Sequence, residues 1–155
     1  MHDTALLDLF ISDISTAEQL LELIDNEFQA LSERDLTRLD SLLSEKQPLL
    51  ALLQQHGSER SRLLQDAGLS ADRDGLTALA GNSSVGDQLL ERSEALSTLL
   101  QRCQEGNLRN GRLIRANQAS VRSVLGILRG GETLGLYDSR GSAARIAQQR
   151  PLSEA

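Results

Sequence analysis

The stretch LDLFISDISTAEQLLELIDNEFQAL, residues 7–31, decides the fold. Its apolar residues fall at Leu7, Phe10, Ile14, Ala17, Leu21, Ile24, Phe28 and Leu31, separated by alternating steps of three and four. That spacing places them on one face of a helix that follows a heptad seam. Asp3 or Thr4 can cap the start, which puts the helix at about residues 4–32 and makes it about 43 Å long at 1.5 Å per residue. The remaining faces carry Asp8, Asp13, Glu18, Glu22, Asp25 and Glu27, as a solvated helix surface would. One apolar stripe on so long a helix demands other helices to cover it.

The chain supplies two more. After Ser32-Glu33-Arg34-Asp35, a tight connection with Asp35 as cap, a second pattern runs Leu36, Leu39, Leu43, Leu50, Leu53, Leu64, with Leu42, Leu49, Leu52 and Leu63 beside it. It reads as helix that is either kinked or broken near Pro48, where a backbone donor is missing, and weakened at Gly57, with one kinked helix over 35–67 the favoured form. Residues 68–86 concentrate the turn chemistry and form a connector, with Leu76-Thr77-Ala78-Leu79 as at most a short helix. Ser84 and Asp87 resemble a capping box. A third pattern follows: Leu89, Leu96, Leu99, Cys103, Asn110, Ile114, Asn117, Val121, Val124, Leu128, a helix over 85–129. The expected fold is all-α: an antiparallel bundle or coiled coil of three long helices with a short connector helix, one domain over residues 1–129. From Gly130-Gly131 the periodicity stops, and residues 130–155 read as a flexible C-terminal tail with room for one short helix around Ser142–Gln149.

Composition agrees with helix. Among 155 residues there are 32 Leu but only three aromatics (Phe10, Phe28, Tyr137) and two prolines, which argues against an all-β fold and an aromatic-lined pocket. One Cys and two His cannot build a structural zinc site or a disulfide framework. No apolar run reaches the roughly 18 residues of a membrane span, and Met1-His2-Asp3-Thr4 lacks the basic start of a secretory signal, so a soluble cytoplasmic protein is expected. The net charge of −6 is unevenly spread: −9 over residues 1–45, −2 over 46–100 and +5 over 101–155. The two ends should attract each other.

No catalytic constellation, metal site or cofactor motif emerges. The carboxylates are scattered over solvated faces. His2 and His56 lack partner ligands nearby, and Cys103 lies on the apolar stripe as a small buried hydrophobe. Gly130-Gly131-Glu132-Thr133-Leu134-Gly135 lacks the strand, helix and Lys-Ser/Thr of a phosphate loop and reads as a hinge. Arg102, Arg109, Arg112, Arg115, Arg122 and Arg129 form a basic edge, with the last three repeating every seven residues. A single Lys, an acidic total and few aromatics argue against nucleic acid, and pairing of this edge with the acidic first helix is the competing account. Asn110 and Asn117 sit on the apolar stripe: either their amides bond within the bundle and fix its register, or they line a groove open until a partner helix fills it. Leu134, Leu136, Tyr137 and Ile146 form either a docking motif or a strip that packs on the bundle.

Leu42-Leu43-Ser44-Glu45-Lys46, the stretch Cys103-Gln104-Glu105-Gly106-Asn107-Leu108-Arg109-Asn110-Gly111-Arg112-Leu113-Ile114, and the tail Leu136-Tyr137-Asp138-Ser139-Arg140-Gly141 together resemble the FlgN family of flagellar export chaperones. The resemblance spans the whole chain. It implies a non-catalytic cytoplasmic chaperone that binds the C-terminal helical segments of the hook–filament junction proteins, hook-associated proteins 1 and 3. Such a chaperone blocks their premature assembly and delivers them to the flagellar type III export apparatus. Clients are held in the family through the C-terminal third. Mapped here, that gives a client surface of Asn110, Leu113, Ile114, Asn117, Val121, Val124, Leu125 and Leu128 on the third helix with Leu134, Leu136 and Ile146 of the tail, and an export-gate docking role for Tyr137 and Asp138. The alternative is a coiled-coil adaptor that self-associates through the seam of residues 7–31.

Overall fold

Among the described residues Arg34 is the one non-glycine residue with a left-handed backbone, at φ 57°, and it ends the first helix. With it, the Asp35 N–H reaches back to the Ala30 carbonyl at 2.9 Å, the closure of a Schellman turn, while the Asp35 side chain accepts the Arg38 N–H at 3.1 Å and starts the second. The structure, a computed structural model, describes residues 2–129, with side chains to Ala119; the expected tail over 130–155 lies outside the described residues. Four helices follow in order: α1 (His2–Glu33), α2 (Leu36–Asp66), α3 (Arg73–Gly81) and α4 (Gly86–Arg129).

α2 is one continuous helix with Pro48 inside it. It ends at Gly68, φ 79°, where the Leu69 N–H bonds the Leu64 carbonyl at 2.9 Å, the same turn built on the residue best suited to it. α3 spans nine residues, longer than the Leu76–Leu79 stretch suggested, because Asp72 caps it from outside by accepting the Gly75 N–H at 3.0 Å. The turn into α4 is held by Ser83 rather than Ser84. Its hydroxyl donates to Asp3 at 2.6 Å and accepts the Val85 N–H at 3.1 Å, which ties this corner to the first turn of α1.

α1 is the shared element, packed against α2 along one side and α4 along the other. α2 runs antiparallel to it, since Asp13 meets Arg60 while Glu27 meets Lys46. α4 runs parallel to α1: Cys103 lies on the Ala17 carbonyl and Asn110 on the Ile24 carbonyl, both 86 residues away in sequence. Two apolar clusters fill the bundle. One joins Leu6, Leu7, Phe10 and Ala17 to Leu64, Leu76, Leu89 and Leu96; the other joins Leu20 and Ile24 to Leu53 and Cys103. Each fully buried Leu or Ile contributes about 1.5–3 kcal/mol by its removal from water.

The buried seam of α1 differs from the expected one at Ile14, Leu21 and Phe28. Leu6, Leu7, Phe10, Asp13, Ala17, Leu20, Ile24, Glu27 and Leu31 are buried. Leu7, Phe10, Ala17, Ile24 and Leu31 hold as expected, but Leu20 replaces Leu21, and Asp13 and Glu27, assigned above to the solvated surface, stand inside where Ile14 and Phe28 were expected. Ile14 and Leu21 are half-buried and Phe28 is 37% exposed. The cause is the second partner helix. Covered from two sides, α1 buries an arc wider than a two-stranded seam, and basic residues of α2 admit two carboxylates to it.

α4 packs tightly on α1 at Gly106, where an added Cβ would stand 2.6 Å from Ile24 Cγ2. Gly111, five residues on, faces open space but for the Arg115 guanidinium at 3.5 Å. Thermal melts should separate the two. Gly111→Ala should stabilise by roughly 0.5–1 kcal/mol through helix propensity, whereas Gly106→Ala should lose about 1–3 kcal/mol to overpacking despite the same gain.

Candidate functional site

Two carboxylates on the seam of α1 have specific answers on α2. Asp13 and Glu27 are two heptads apart, and so are Arg60 and Lys46. At the first layer Asp13, with no exposed surface, binds the His56 Nδ1 at 2.6 Å through Oδ1 and the Arg60 guanidinium through Oδ2. Arg60 also lies over the Phe10 ring at 5.3 Å, and burial pulls its guanidinium below the ordinary value. His56 is thereby a partner of a buried carboxylate.

At the second layer the Lys46 ammonium donates to Glu27 at 2.9 Å with both side chains buried. The same ammonium reaches Asn107 Oδ1 on α4 at 3.4 Å, while the Asn107 Nδ2 is buried without a protein partner. Burial pushes the Glu27 carboxyl above its usual range, and the Lys46 charge pulls it part of the way back. Asn110, one turn along α4, is buried and donates to the Ile24 carbonyl at 2.9 Å. The amide of Asn110 is therefore satisfied within the bundle, in keeping with the register-fixing role weighed above. This polar layer closes the apolar core. Beyond it lies the hairpin tip, where Ala30, Leu31 and Leu42 are buried and Leu113, Ile114 and Asn117 of α4 are half-buried.

The tip is also where α1 runs out. With partners 86 residues apart, Glu33, its last residue, stands level with Ala119, yet α4 continues to Arg129. Ten residues, about 15 Å of helix, therefore extend past the hairpin. Val121, Val124, Leu125 and Leu128 belong to this extension, with side chains outside the described residues. Leu134, Leu136, Tyr137, Asp138 and Ile146 also lie outside them.

The basic edge of α4 divides. Arg109 donates to Asp25 of α1 at 3.2 Å and covers the Phe28 ring at 4.2 Å, as expected of an arginine facing the acidic first helix. Arg112 and Arg115 do not follow it: both are exposed and neither is ion-paired among the described residues. Pairs such as Arg109–Asp25, with both partners open to water, contribute well under about 1 kcal/mol. What Arg109 adds is cover for an aromatic side chain that the seam leaves outside.

Reactive chemistry is not apparent in the described residues. No group of three potential metal ligands forms there, and no helix is long and apolar enough to cross a membrane. Cys103 is buried and its thiol is pushed up to about 11, chiefly by desolvation. A shallow cleft of about 320 Å³ lies at the other end of the bundle, between α3, α4 and the end of α2, with Leu6, Phe10, Leu64 and Leu76 at its floor and the Arg73–Glu94 pair at its rim.

Comparison with known proteins supplies the remaining finding. The FlgN protein family model matches residues 1–145. A crystal structure from Pseudomonas aeruginosa, of a protein designated a flagella synthesis protein FlgN, is 52% identical with a TM-score of 0.69, covering 81% of this chain and 96% of that one. No curated protein matches the chain.

Lys46→Met should cost about 3–5 kcal/mol by leaving the Glu27 carboxylate buried alone, a fall of roughly 10 °C in Tm for a chain of this size. The double variant with Glu27→Leu should melt close to the parent, and equal, small effects of all three would show the pair to be dispensable. A raised acid favours the folded state below its unfolded value and loses that advantage as pH rises through the folded one, so part of the Lys46→Met loss at neutral pH should be regained near about pH 4.5. In the native parent, Cys103 should react with Ellman's reagent at pH 8 at least about a hundredfold more slowly than in guanidinium.

Proposed function

Because the chain belongs to the FlgN family of flagella synthesis proteins, a family of chaperone type, we propose that it holds the C-terminal helical segments of hook-associated proteins 1 and 3 in the cytoplasm and hands them to the flagellar type III export apparatus. The observation that carries this reading is the extension of α4 past the α1–α2 hairpin. The apolar spacing of α4 does not stop where α1 stops: Val121, Val124, Leu125 and Leu128 continue it over residues that α1 is too short to cover. A client helix laid along this segment would bury its own apolar stripe and be kept from assembling. Leu113, Ile114 and Asn117, half-buried at the tip, would form the near end of the surface, with Asn110 as its inner limit because its amide is committed to Ile24.

Leu134, Leu136 and Ile146 would supply the second wall from the tail, with Tyr137 and Asp138 available to dock the loaded chaperone on the export gate. Ordering such a segment on binding costs entropy, which limits affinity and suits a complex that must release its client. No catalytic step is required. The seam of α1, which a self-associating adaptor would need, is already used within the chain by α2 and α4.

Titration calorimetry of the full chain against C-terminal segments of the two hook-associated proteins should give one-to-one binding. Val124→Asp with Leu128→Asp should weaken it by at least about tenfold, the cost of placing charge in an apolar contact, with an unchanged melting temperature. Leu134→Ala, Leu136→Ala and Ile146→Ala combined should weaken it as well. Failure of either segment to bind the parent chain would overturn the reading.

A further inference from the structure

We infer that the cleft between α3, α4 and the end of α2 receives a chain terminus: a peptide whose last residue is apolar, with its carboxylate on Arg60. The site lies at the opposite end of the bundle from the α4 extension and does not depend on the client-binding reading.

Arg60 carries the argument. Its side chain is 19% exposed and lines the cleft together with Gly57. A guanidinium has five N–H donors, and a buried one needs acceptors for them. Nη1 is buried against Asp13 Oδ2, and the Phe10 ring lies under the cation at 5.3 Å. Among the described residues no acceptor bonds Nε or Nη2, and Nη2 stands in the cleft wall, 3.7 Å from where a Cβ added to Gly57 would lie. Nε and Nη2 form the side-on edge of the guanidinium, two parallel N–H groups at the spacing of the two oxygens of a carboxylate. A lysine would supply the charge that Asp13 needs; the open fork is what an arginine adds. Asp13, with no exposed surface, also holds His56, so the cluster behind the cleft sets two basic side chains against one carboxylate.

The rest of the cleft sets the body of the ligand. At about 320 Å³ it stands at the small end of ligand pockets, room for the end of a peptide, and its floor is Leu6, Phe10, Leu64 and Leu76. Around that floor are the hydroxyls of Ser61, Ser93 and Ser97, none of which bonds a protein group among the described residues. The acids at the rim have partners of their own: Glu94 accepts from Arg73 at 2.9 Å, and Asp72 accepts from the Ser70 hydroxyl at 2.6 Å and the Gly75 N–H at 3.0 Å. A plain hydrocarbon acid would cover the floor but leave the serine hydroxyls unpaired once water is displaced. A terminal residue brings a carboxylate for the fork, an apolar side chain for the floor and an amide for the hydroxyls. Its chemistry matches the cleft on all three counts.

The test follows the Arg60 Nε–Hε signal of the full chain by NMR during titration with N-acetyl-Ala-Leu, once as the free acid and once as its C-terminal amide. The acid should move that signal and bind at least about tenfold tighter than the amide, the difference a pair of charge-assisted hydrogen bonds makes. Ser97→Trp, at an exposed position on the mouth, should fill the cleft and abolish binding at an unchanged melting temperature. Arg60→Lys, which keeps a cation for Asp13 without the fork, should remove most of the preference for the acid. Equal binding of acid and amide to the parent chain, an Arg60 signal that the acid leaves unmoved, or binding retained in Ser97→Trp would overturn the inference. So would 4-methylpentanoate, which has the leucine side chain and carboxylate without the amide, if it bound as tightly as the peptide.

Discussion

A carboxylate buried on a helix seam commits the neighbouring helix to bring a cation to the same depth, and two of them spaced by two heptads commit it twice. Asp13 and Glu27 impose that condition on α2, which meets it with Arg60 and Lys46 at the same separation. Slipping α2 by one turn would set both acids against the wrong residues at once. Leucines alone, numerous on both helices and nearly interchangeable, specify register far less sharply. The stability of such pairs is modest once desolvation is counted, so their weight lies in excluding alternatives. α4 is set differently, through small residues and short polar contacts: Gly106 under Ile24, Cys103 on the Ala17 carbonyl, Asn110 on the Ile24 carbonyl. α1 is thus read by charge on one side and by shape on the other.

This division explains which parts of the fold were legible in the sequence. The three long helices and the Asp35 cap follow from heptad spacing and cap chemistry, which are local; at Pro48 the sequence admits a kink or a break, and the structure keeps one helix. The part of the seam shared with the structure is Leu7, Phe10, Ala17, Ile24 and Leu31. Positions between were assigned by apolarity, and there the rule fails for a physical reason. A three-helix contact buries a wider arc than two chains do, and a charged residue can enter it if its counterion arrives from a distant part of the chain. The spacing of Lys46 and Arg60 against Asp13 and Glu27 was the available signal, visible only when two helices are laid antiparallel and compared. Asn110 was readable as a buried amide; the carbonyl it serves was not.

The position of the polar layer matters for function. The second apolar cluster ends at Leu20, Ile24, Leu53 and Cys103, and the Glu27, Lys46 and Asn107 group follows. Beyond it only a short tip of the hairpin remains to hold α4. A layer of paired charges and amides tolerates displacement poorly, because a carboxylate or ammonium moved out of register loses its partner while still buried. It therefore marks a boundary between the apolar core and the hairpin tip, past which α4 outruns α1.

That boundary bears on how a small helical protein can present an apolar surface and still stay folded. If the stripe of α4 were covered along its whole length by α1, the core would gain apolar area but no room would remain for another helix. If α1 were shorter by another two heptads, Glu27 and the tip would go, and with them the counterion that Lys46 needs inside the bundle. The observed lengths satisfy both conditions: α1 reaches just past its last buried charge and stops, while α4 goes on for ten residues. Stability is concentrated in the part of the molecule that is closed at both ends by chemistry, at Asp3 with Ser83 and at Glu27 with Lys46. On the client-binding proposal, the apolar repeat past Ala119 is carried as an extension of a helix already fixed along most of its length, so a partner would meet a segment whose register is set in advance and the entropy cost of ordering would fall mainly on the partner.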